Sequence, residues 1–179
     1  STLFPYTTLF RSVLLRGNGV AVACGRNISG QCDLPRLEDG MKYTQVSAGS
    51  DYTVLLRGDG VAVACGENAY EQCDIPQLPD GMTYTQVSAG MHHSVLLRSD
   101  GIVVACGDNT VGQCDFPWLP DGMTYTQVSA GMLDSVLLRS DGNAVACRFH
   151  AAGLCGFPRL PDGMTYTQEI GRASCRERV

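Results

Sequence analysis

The sequence predicts an all-β fold, a partial β-propeller of about four four-stranded blades. Three observations lead to this prediction. A unit of 41 residues recurs along the chain, and a fixed period of this length is typical of solenoids, propellers and other arrays. Turn residues recur every eight to twelve positions, and no segment has the apolar spacing of an amphipathic helix. The middle strands of each unit are apolar on both faces, so each sheet needs cover on both sides.

Two cysteines, a proline and a glycine mark the repeat, each recurring at intervals of 41 residues. They are Cys24, Cys65, Cys106 and Cys147; Cys32, Cys73, Cys114 and Cys155; Pro35, Pro76, Pro117 and Pro158; and Gly40, Gly81, Gly122 and Gly163. The whole units are Tyr43–Thr83, Tyr84–Thr124 and Tyr125–Thr165, and Val13–Lys42 is most of a fourth. Because no unit of such an array buries its apolar face alone, we expect function to lie on the array and not in a single pocket.

Each unit predicts four short strands in a fixed order. A tight turn with a glycine joins the second strand to the third, because glycine readily takes the positive φ that such hairpins need. A proline ends the fourth strand. The first strand is exemplified by Tyr125–Ala130. The later elements are taken from the unit before it: the second strand Ser94–Arg98, the turn Ser99–Gly101, the third strand Ile102–Cys106, the loop Gly107–Gly112, the fourth strand Gln113–Phe116 and the turn Pro120–Gly122.

The second and third strands are continuous apolar runs, such as Val95–Leu97 and Ile102–Cys106. A strand that is apolar on both faces lies in a sheet covered on both sides. Since no helix is predicted, the cover must be other sheets, and four-stranded sheets stacked face to face at a regular period are propeller blades. The alternative is a parallel β-solenoid, whose coils are usually shorter and lack these hairpin turns.

The best-preserved unit, Tyr84–Thr124, resembles the repeat of the regulator of chromosome condensation family. The residues that carry the resemblance are Ala89-Gly90, His93-Ser94, Leu97, Asp100-Gly101, Val103, Gly107, Asn109 and Gly112-Gln113. The resemblance covers nearly all of Val13–Gln168. It implies a seven-bladed β-propeller that serves as a protein-interaction platform, of which this chain supplies a little over half.

Several positions depart from the family pattern. The family often has an aromatic residue where Cys24, Cys65 and Cys106 stand. Tyr52 and Asp134 replace the histidine of the motif in the units on either side of His93. The last unit loses the pattern at Arg148-Phe149-His150 and Gly153-Leu154-Cys155-Gly156, which indicates a divergent blade or a sequencing error.

The sequences at both ends of the chain indicate segments that do not belong to the repeats. Thr2–Ser12 and Ile170–Val179 can be encoded by the two strands of one DNA segment, which resembles a sequencing adapter. We therefore expect residues 1–12 and 169–179 to be adapter-derived tails, not native, and residues 13–168 to hold the repeats. Cys175 then lies outside the native sequence.

Charge and hydropathy exclude two classes of partner. The chain has a net charge of −5; removing four arginines and two glutamates with the tails leaves 9 basic and 16 acidic residues, or −7. A dispersed acidic surface lacks the basic patch that binds a phosphate backbone, so no nucleic acid is expected. No run of 18 apolar residues is present, so we expect no membrane span.

The cysteines and histidines favour structural roles. Seven residues separate the two cysteines of each unit, which is not the short spacing of zinc sites. Buried free thiols are favoured over disulfides within a blade, and metal is the least favoured reading. His92 and His93 are neighbours on a strand, so they point to opposite faces and would not bind one ion together. We expect no metal and no cofactor.

Positions that differ between units point to the binding surface. A residue that recurs in every unit is needed for the structure of the blade, whereas a residue that varies is free to contact a partner. Ordinary loop drift explains such variation equally well. Variation concentrates in the loop after the first strand, in the loop before the fourth strand and just after the repeated proline. The bulky residues there, which we predict to bind a partner, are Met91, His92, Met132, Leu133 and Trp118.

The function predicted is a non-catalytic scaffold for protein–protein interaction, because no catalytic constellation is visible. The family resemblance implies two alternatives. One is guanine-nucleotide exchange on a small GTPase, and the other is a regulatory propeller of a larger ubiquitin ligase. We expect the protein not to be an enzyme and to reside in an intracellular, cytoplasmic compartment. An incomplete ring leaves open edges, through which the isolated chain is expected to self-associate.

Overall fold

The computed structural model describes residues 11–147, 157, 161 and 164–167. These residues form eleven β-strands and no helix, so no helix in this part of the chain could cross a membrane. The strands are β1 (Arg11–Leu15), β2 (Ala21–Gly25), β3 (Tyr43–Ala48), β4 (Tyr52–Arg57), β5 (Ala62–Gly66), β6 (Tyr84–Ala89), β7 (His93–Arg98), β8 (Val103–Gly107), β9 (Tyr125–Ala130), β10 (Ser135–Arg139) and β11 (Ala144–Cys147). The all-β fold is confirmed.

The strands form four separate antiparallel sheets, one for each repeat. We number them blade 1 (β1–β2), blade 2 (β3–β5), blade 3 (β6–β8) and blade 4 (β9–β11). Blades 2 to 4 are meanders in which the second strand lies between the first and the third. The hairpin of blade 2 turns at Gly60, whose φ of 81° is in the left-handed region that favours glycine. A Cβ atom there would lie 2.3 Å from the Cβ of Thr83, so space also requires glycine.

The blades pack face to face, and their interfaces are the core. Between blades 2 and 3, Val54 and Leu56 of β4 pack against Val87 and Ala89 of β6. The same arrangement recurs between blades 3 and 4, where Val95, Leu97 and Val103 meet Tyr125, Ala130 and Leu137. All six residues of β4 except Arg57 are buried, which confirms that the middle strand is covered on both faces. The stacked sheets are blades of a partial propeller.

The fourth strand is not formed in blades 1 to 3, whose residues at that position are described, and this corrects one detail of the prediction. Residues 113–116, predicted as that strand in blade 3, form a turn followed by an extended segment without ladder pairing. Side chains satisfy the backbone instead: Asn109 Oδ1 accepts from the Cys114 N–H at 2.8 Å, and the Tyr125 hydroxyl donates to the Pro117 carbonyl at 2.9 Å. Pro117 has no N–H for a ladder, so a strand cannot continue through it.

The last repeat and both tails lie largely outside the described residues. This applies to the divergent segment 148–156, including His150 and Cys155, and to all of the C-terminal tail. At the other end, Arg11 and Ser12 of the expected tail belong to β1, where they pair with Gly25 and Cys24. Backbone pairing depends little on side-chain identity, so this does not reveal the origin of the two residues. The domain boundaries at 13 and 168 stay a prediction.

Candidate interaction surface

Each blade has two ends, which differ in how the sequence varies. At one end, the loop between the first and second strands meets the loop after the third strand; we call this the loop end. The contact repeats in adjacent blades: the Glu67 N–H donates to the Asp51 carbonyl at 2.9 Å, and the Asp108 N–H donates to the His92 carbonyl at 2.8 Å. At the other end lies the hairpin between the second and third strands, the hairpin end. Two of the three variable regions therefore meet at the loop end.

A buried column of side chains beneath the loop end joins neighbouring blades. The Tyr52 hydroxyl donates to the His93 carbonyl at 2.5 Å, and the His93 Nε2 lies 3.0 Å from the Ser135 Oγ. Gly49 and Gly90 make room for these rings, since a Cβ atom on either would lie within 2.5 Å of the ring behind it. The column holds the loops above it in fixed positions.

His93 and Ser135 are structural residues. Both are completely buried, and the Ser135 hydroxyl donates to the Gln113 carbonyl at 2.6 Å. Burial lowers the pKa of His93 from 6.5 to about 4, so the ring is neutral near pH 7. A nucleophile needs access to substrate, which this pair lacks. Ser94 and Thr53 are buried in the same way, with hydroxyls that donate to the Gln72 and Gln31 carbonyls.

The loop end brings together four of the five predicted binding residues. Met91 and His92 precede β7, and Met132 and Leu133 occupy the same loop in blade 4. The two loops touch, because the Met91 N–H donates to the Gly131 carbonyl at 3.2 Å. Met132 is 52% exposed, and the other three side chains are partly buried. The two loops are therefore neighbours across blades 3 and 4, and we call the surface that they present the loop-end surface.

Trp118 is exposed but lies apart from this surface. It is 99% exposed and lines a cleft with Gly101 and Ile102 of the hairpin end, together with Phe116 and Met123. The hairpin end and the loop end are separated by the length of β7, which is about 20 Å at the usual rise per residue. The structure therefore does not place Trp118 with the other four residues.

Tyr70, which the sequence analysis did not single out, belongs to the loop-end surface. It lies in the loop after β5 of blade 2, and its ring packs on His92 of blade 3 with centroids 4.5 Å apart. Tyr70 is also 47% exposed. The signal was present in the sequence, since the equivalent residues are Ser29 and Val111 and only blade 2 has an aromatic ring there.

The loop end of blades 2 to 4 is acidic. Within residues 49–52, 66–74, 90–93, 107–115 and 131–134 there is no lysine or arginine, and seven carboxylates are present: Asp51, Glu67, Glu71, Asp74, Asp108, Asp115 and Asp134. A hydrogen bond from the Thr110 N–H, 2.9 Å long, helps to hold the pKa of Asp108 below its ordinary value. At the hairpin end, by contrast, Arg57, Arg98 and Arg139 each pair with an aspartate two residues later.

The seven described cysteines carry free thiols, at Cys24, Cys32, Cys65, Cys73, Cys106, Cys114 and Cys147. Burial raises the pKa of Cys65 to about 11 and that of Cys106 to about 12, so neither is a thiolate near neutral pH. The Cys73 thiol donates to the Glu67 carbonyl at 3.2 Å. No group of three potential metal ligands occurs among the residues described. Among these seven, Cys147 is buried, Cys24 is exposed and the other five are partly buried.

The fold was compared with solved structures, and several of them are similar to it. Yeast RCC1 (Prp20), in a structure bound to Kap60, superposes with a TM-score of 0.63 and 20% identity, covering 76% of this chain and 41% of its own. Prp20p from Saccharomyces cerevisiae, in a structure described with its binding to Gsp1p and histones, gives 0.64 and 20%, covering 76% and 42%. The ectodomain of the Physcomitrella patens receptor kinase CR4 gives 0.61 and 19%, covering 86% and 42%.

The fold and the surface thus define a segment of a β-propeller whose varied loops gather at one end of the blades. The model of the regulator of chromosome condensation (RCC1) repeat matches residues 84–113, in blade 3, and this match confirms the resemblance. The chain spans about two fifths of the length of the propellers it superposes on. Among curated proteins, none matches this sequence.

Proposed function

We propose that this propeller segment is a non-catalytic scaffold that binds another protein through the loop-end surface. The observation that carries the proposal is the contact between the loops of blades 3 and 4, which joins Met91, His92, Met132 and Leu133 into one surface. Loops on a rigid scaffold are common binding sites, and methionine is enriched at interfaces. The hydroxyl residues that repeat with the array, Thr53, Ser94 and Ser135, are completely buried, which agrees with a binding role. Yeast RCC1 (Prp20) is described bound to Kap60 in one structure, and with its binding to Gsp1p and histones in another.

Alanine substitutions at the loop end test the proposal. A partner would first be captured with the complete propeller and then titrated by calorimetry against variants. Met132→Ala and Leu133→Ala are expected to weaken binding by about 1–2 kcal/mol if they are hot spots. The free energy of unfolding should change little, because the four side chains lie outside the core between the blades. Lost stability with binding intact would make them packing residues and refute the proposal.

Trp118→Ala separates the two ends of the blades. Since Trp118 lies at the hairpin end, a partner confined to the loop end should bind this variant as tightly as the wild type. If Trp118→Ala alone weakens binding, the partner docks at the hairpin end, and the loop-end proposal is wrong.

Guanine-nucleotide exchange on a small GTPase is the second candidate. It is favoured by the superposition on Prp20p, which is described with binding to Gsp1p. The test is the release of a fluorescent GDP analogue from a panel of small GTPases in the presence of the complete propeller. Acceleration of release supports exchange, and unchanged release across a panel that includes the captured partner excludes it.

The isolated chain is proposed to self-associate through its open face at blade 1. Leu14 is 62% exposed on this face, and unpaired sheet surfaces recruit other strands. Sedimentation velocity should show concentration-dependent association that Leu14→Lys reduces. A monomer at all concentrations would refute this proposal without bearing on the loop end.

An intracellular compartment is also a proposal, supported by the free thiols of the described blades. The denatured, non-reduced chain should titrate close to all nine of its cysteines, eight of which belong to the repeats. Titration near one thiol would instead indicate a disulfide in each blade and an oxidising compartment.

A further inference from the structure

The loop of blade 2 departs from the other blades at two adjacent positions. Where blade 1 has Ser29-Gly30 and blade 3 has Val111-Gly112, blade 2 has Tyr70-Glu71. Glu71 takes the backbone conformation that glycine takes elsewhere, with φ of 63° against 77° at Gly30 and 75° at Gly112. It is the one described residue other than glycine with a positive φ. A glutamate here is strained, so the stability of the blade does not explain its presence.

The Tyr70 ring offers a flat aromatic surface edged with negative charge. His92 covers one side of the ring, and 47% of Tyr70 remains exposed. Glu71 is the next residue after Tyr70. Asp108 directly follows β8 of blade 3, and its N–H donates to the His92 carbonyl. Among the described residues neither Glu71 nor Asp108 forms an ion pair, whereas Asp51 of blade 2 pairs with Arg26 of blade 1 at 3.9 Å. An aromatic face beside carboxylates attracts a cation, and a guanidinium can stack on the ring while it pairs with the carboxylates.

A buried donor in the same loop, on Gln72, is left without a partner. Gln72 is completely buried; its Oε1 accepts from the Tyr70 N–H at 2.9 Å, but its Nε2 has no hydrogen-bond partner. The equivalent of Gln72 in blade 1 is Gln31, whose Nε2 donates to the carboxylate of Asp51 in blade 2 at 3.1 Å. The repeat position of Asp51 is occupied in blade 3 by His92. The Nδ1 of His92 is buried and without a partner as well. Buried polar groups are nearly always paired, so these two atoms mark a place at the loop end of blades 2 and 3 that is not optimised for stability alone.

We infer that the loop end of blades 2 and 3 binds an arginine-bearing basic segment of a partner protein, with the guanidinium on Tyr70 and within reach of Glu71 and Asp108. The inference rests on the proposed scaffold function and names the chemistry of its partner. Negative charge across the surface selects a basic segment, and the exposed aromatic ring favours arginine over an unspecific cation.

The test uses fluorescence anisotropy of a labelled peptide that alternates arginine and glycine, with a peptide of equal length containing glutamine in place of arginine. The full chain should bind the arginine peptide more tightly, and added salt should weaken that binding. The decisive variant is Tyr70→Ser with Glu71→Gly, which gives blade 2 the residues of blade 1. We expect it to lose about tenfold in affinity, from the cation–π contact and the exposed charge pair together.

Asp80→Asn is the matched control, because it removes one negative charge at an exposed turn away from the loop end. It should change the affinity by no more than about twofold, as expected of a screened surface charge. Equal binding of the two peptides, or equal losses in the control and the Tyr70 variant, would overturn the inference.

The native partner distinguishes this inference from the scaffold proposal. If the partner depends on Met132 and Leu133 but binds the Tyr70→Ser, Glu71→Gly variant with unchanged affinity, the arginine inference fails and the scaffold proposal stands. If the arginine peptide depends on Tyr70 while no partner depends on Met132 or Leu133, the scaffold surface is wrong.

Discussion

Blades 1 and 3 carry the same leucine at the same repeat position, yet in opposite environments. Leu14 of blade 1 is 62% exposed, whereas Leu96 of blade 3 is completely buried, as are Leu55 and Leu137. Blade 3 has a described sheet on each side, and blade 1 has one only on the side of blade 2. Burial in this array is therefore set by the neighbouring blade, and a repeat residue has no fixed energetic role of its own.

Substituting alanine for each of the two leucines tests this comparison, and it is expected to give the largest change in the free energy of unfolding. Leu96→Ala should lower the free energy of unfolding by about 2–5 kcal/mol, because it opens a cavity between two sheets. Leu14→Ala should change it by less than about 0.5 kcal/mol, as for most exposed positions. Urea unfolding of both variants measures the difference. Equal losses would mean that Leu14 is buried in solution, and the comparison would be wrong.

Exchanging the buried column residue of blade 3 for that of blade 2 tests pH dependence. The pKa of His93 is about 4 in the folded chain and near 6.5 when unfolded. The unfolded state therefore binds more protons between these values, so stability is lost as the pH falls from about 6.5 to about 4. The loss amounts to about 3 kcal/mol at most.

Tyr52 is the matched residue in blade 2 and has no titration in this range, so His93→Tyr should remove this part of the acid sensitivity. Urea unfolding of the wild type and His93→Tyr at pH 7 and pH 4 provides the measurement. The difference between the two proteins matters, because carboxylates titrate in both. A constant difference across pH would show that His93 is not held neutral by burial.

Making blade 2 resemble blades 1 and 3 at the strained position should be stabilising. Glu71→Gly removes a side chain from the left-handed region and should raise the free energy of unfolding by about 1 kcal/mol. The converse change, Gly112→Glu in blade 3, should lower it by a similar amount. Thermal or urea unfolding of the pair suffices. If Glu71→Gly destabilises the chain, Glu71 contributes contacts that outweigh its strain.

Removing the tails should have the smallest effect. Deletion of residues 1–12 and 169–179 removes Arg11 and Ser12 of β1 but no residue of the two hydrophobic core clusters, so we expect a change of about 1 kcal/mol or less. The cost, if any, should arise from Arg11, whose guanidinium donates to the Gly49 carbonyl at 2.9 Å. A loss of several kcal/mol would place the tails in the native core and refute the predicted boundaries.

Sequence reasoning was most accurate where local chemistry fixes the outcome. The first strand, Tyr125–Ala130, has the predicted bounds, and the second and third differ from prediction by one residue. Continuous apolar runs and glycine turns are local properties, so the sequence reports them directly. The prediction of the fourth strand was wrong because the backbone there pairs with the side chain of Asn109 and the hydroxyl of Tyr125. Such hydrogen-bond partners cannot be inferred from a run of apolar residues.

The candidate surface divides in the same way. The sequence by itself determined the repeat, the blades and the positions free to vary, because each follows from spacing and residue type. Only the tertiary structure decided which varied positions meet: it joined Met91 to the loop of Met132, set Trp118 at the opposite end and stacked Tyr70 on His92. These contacts join residues of different blades, and their geometry follows from how one sheet stacks on the next.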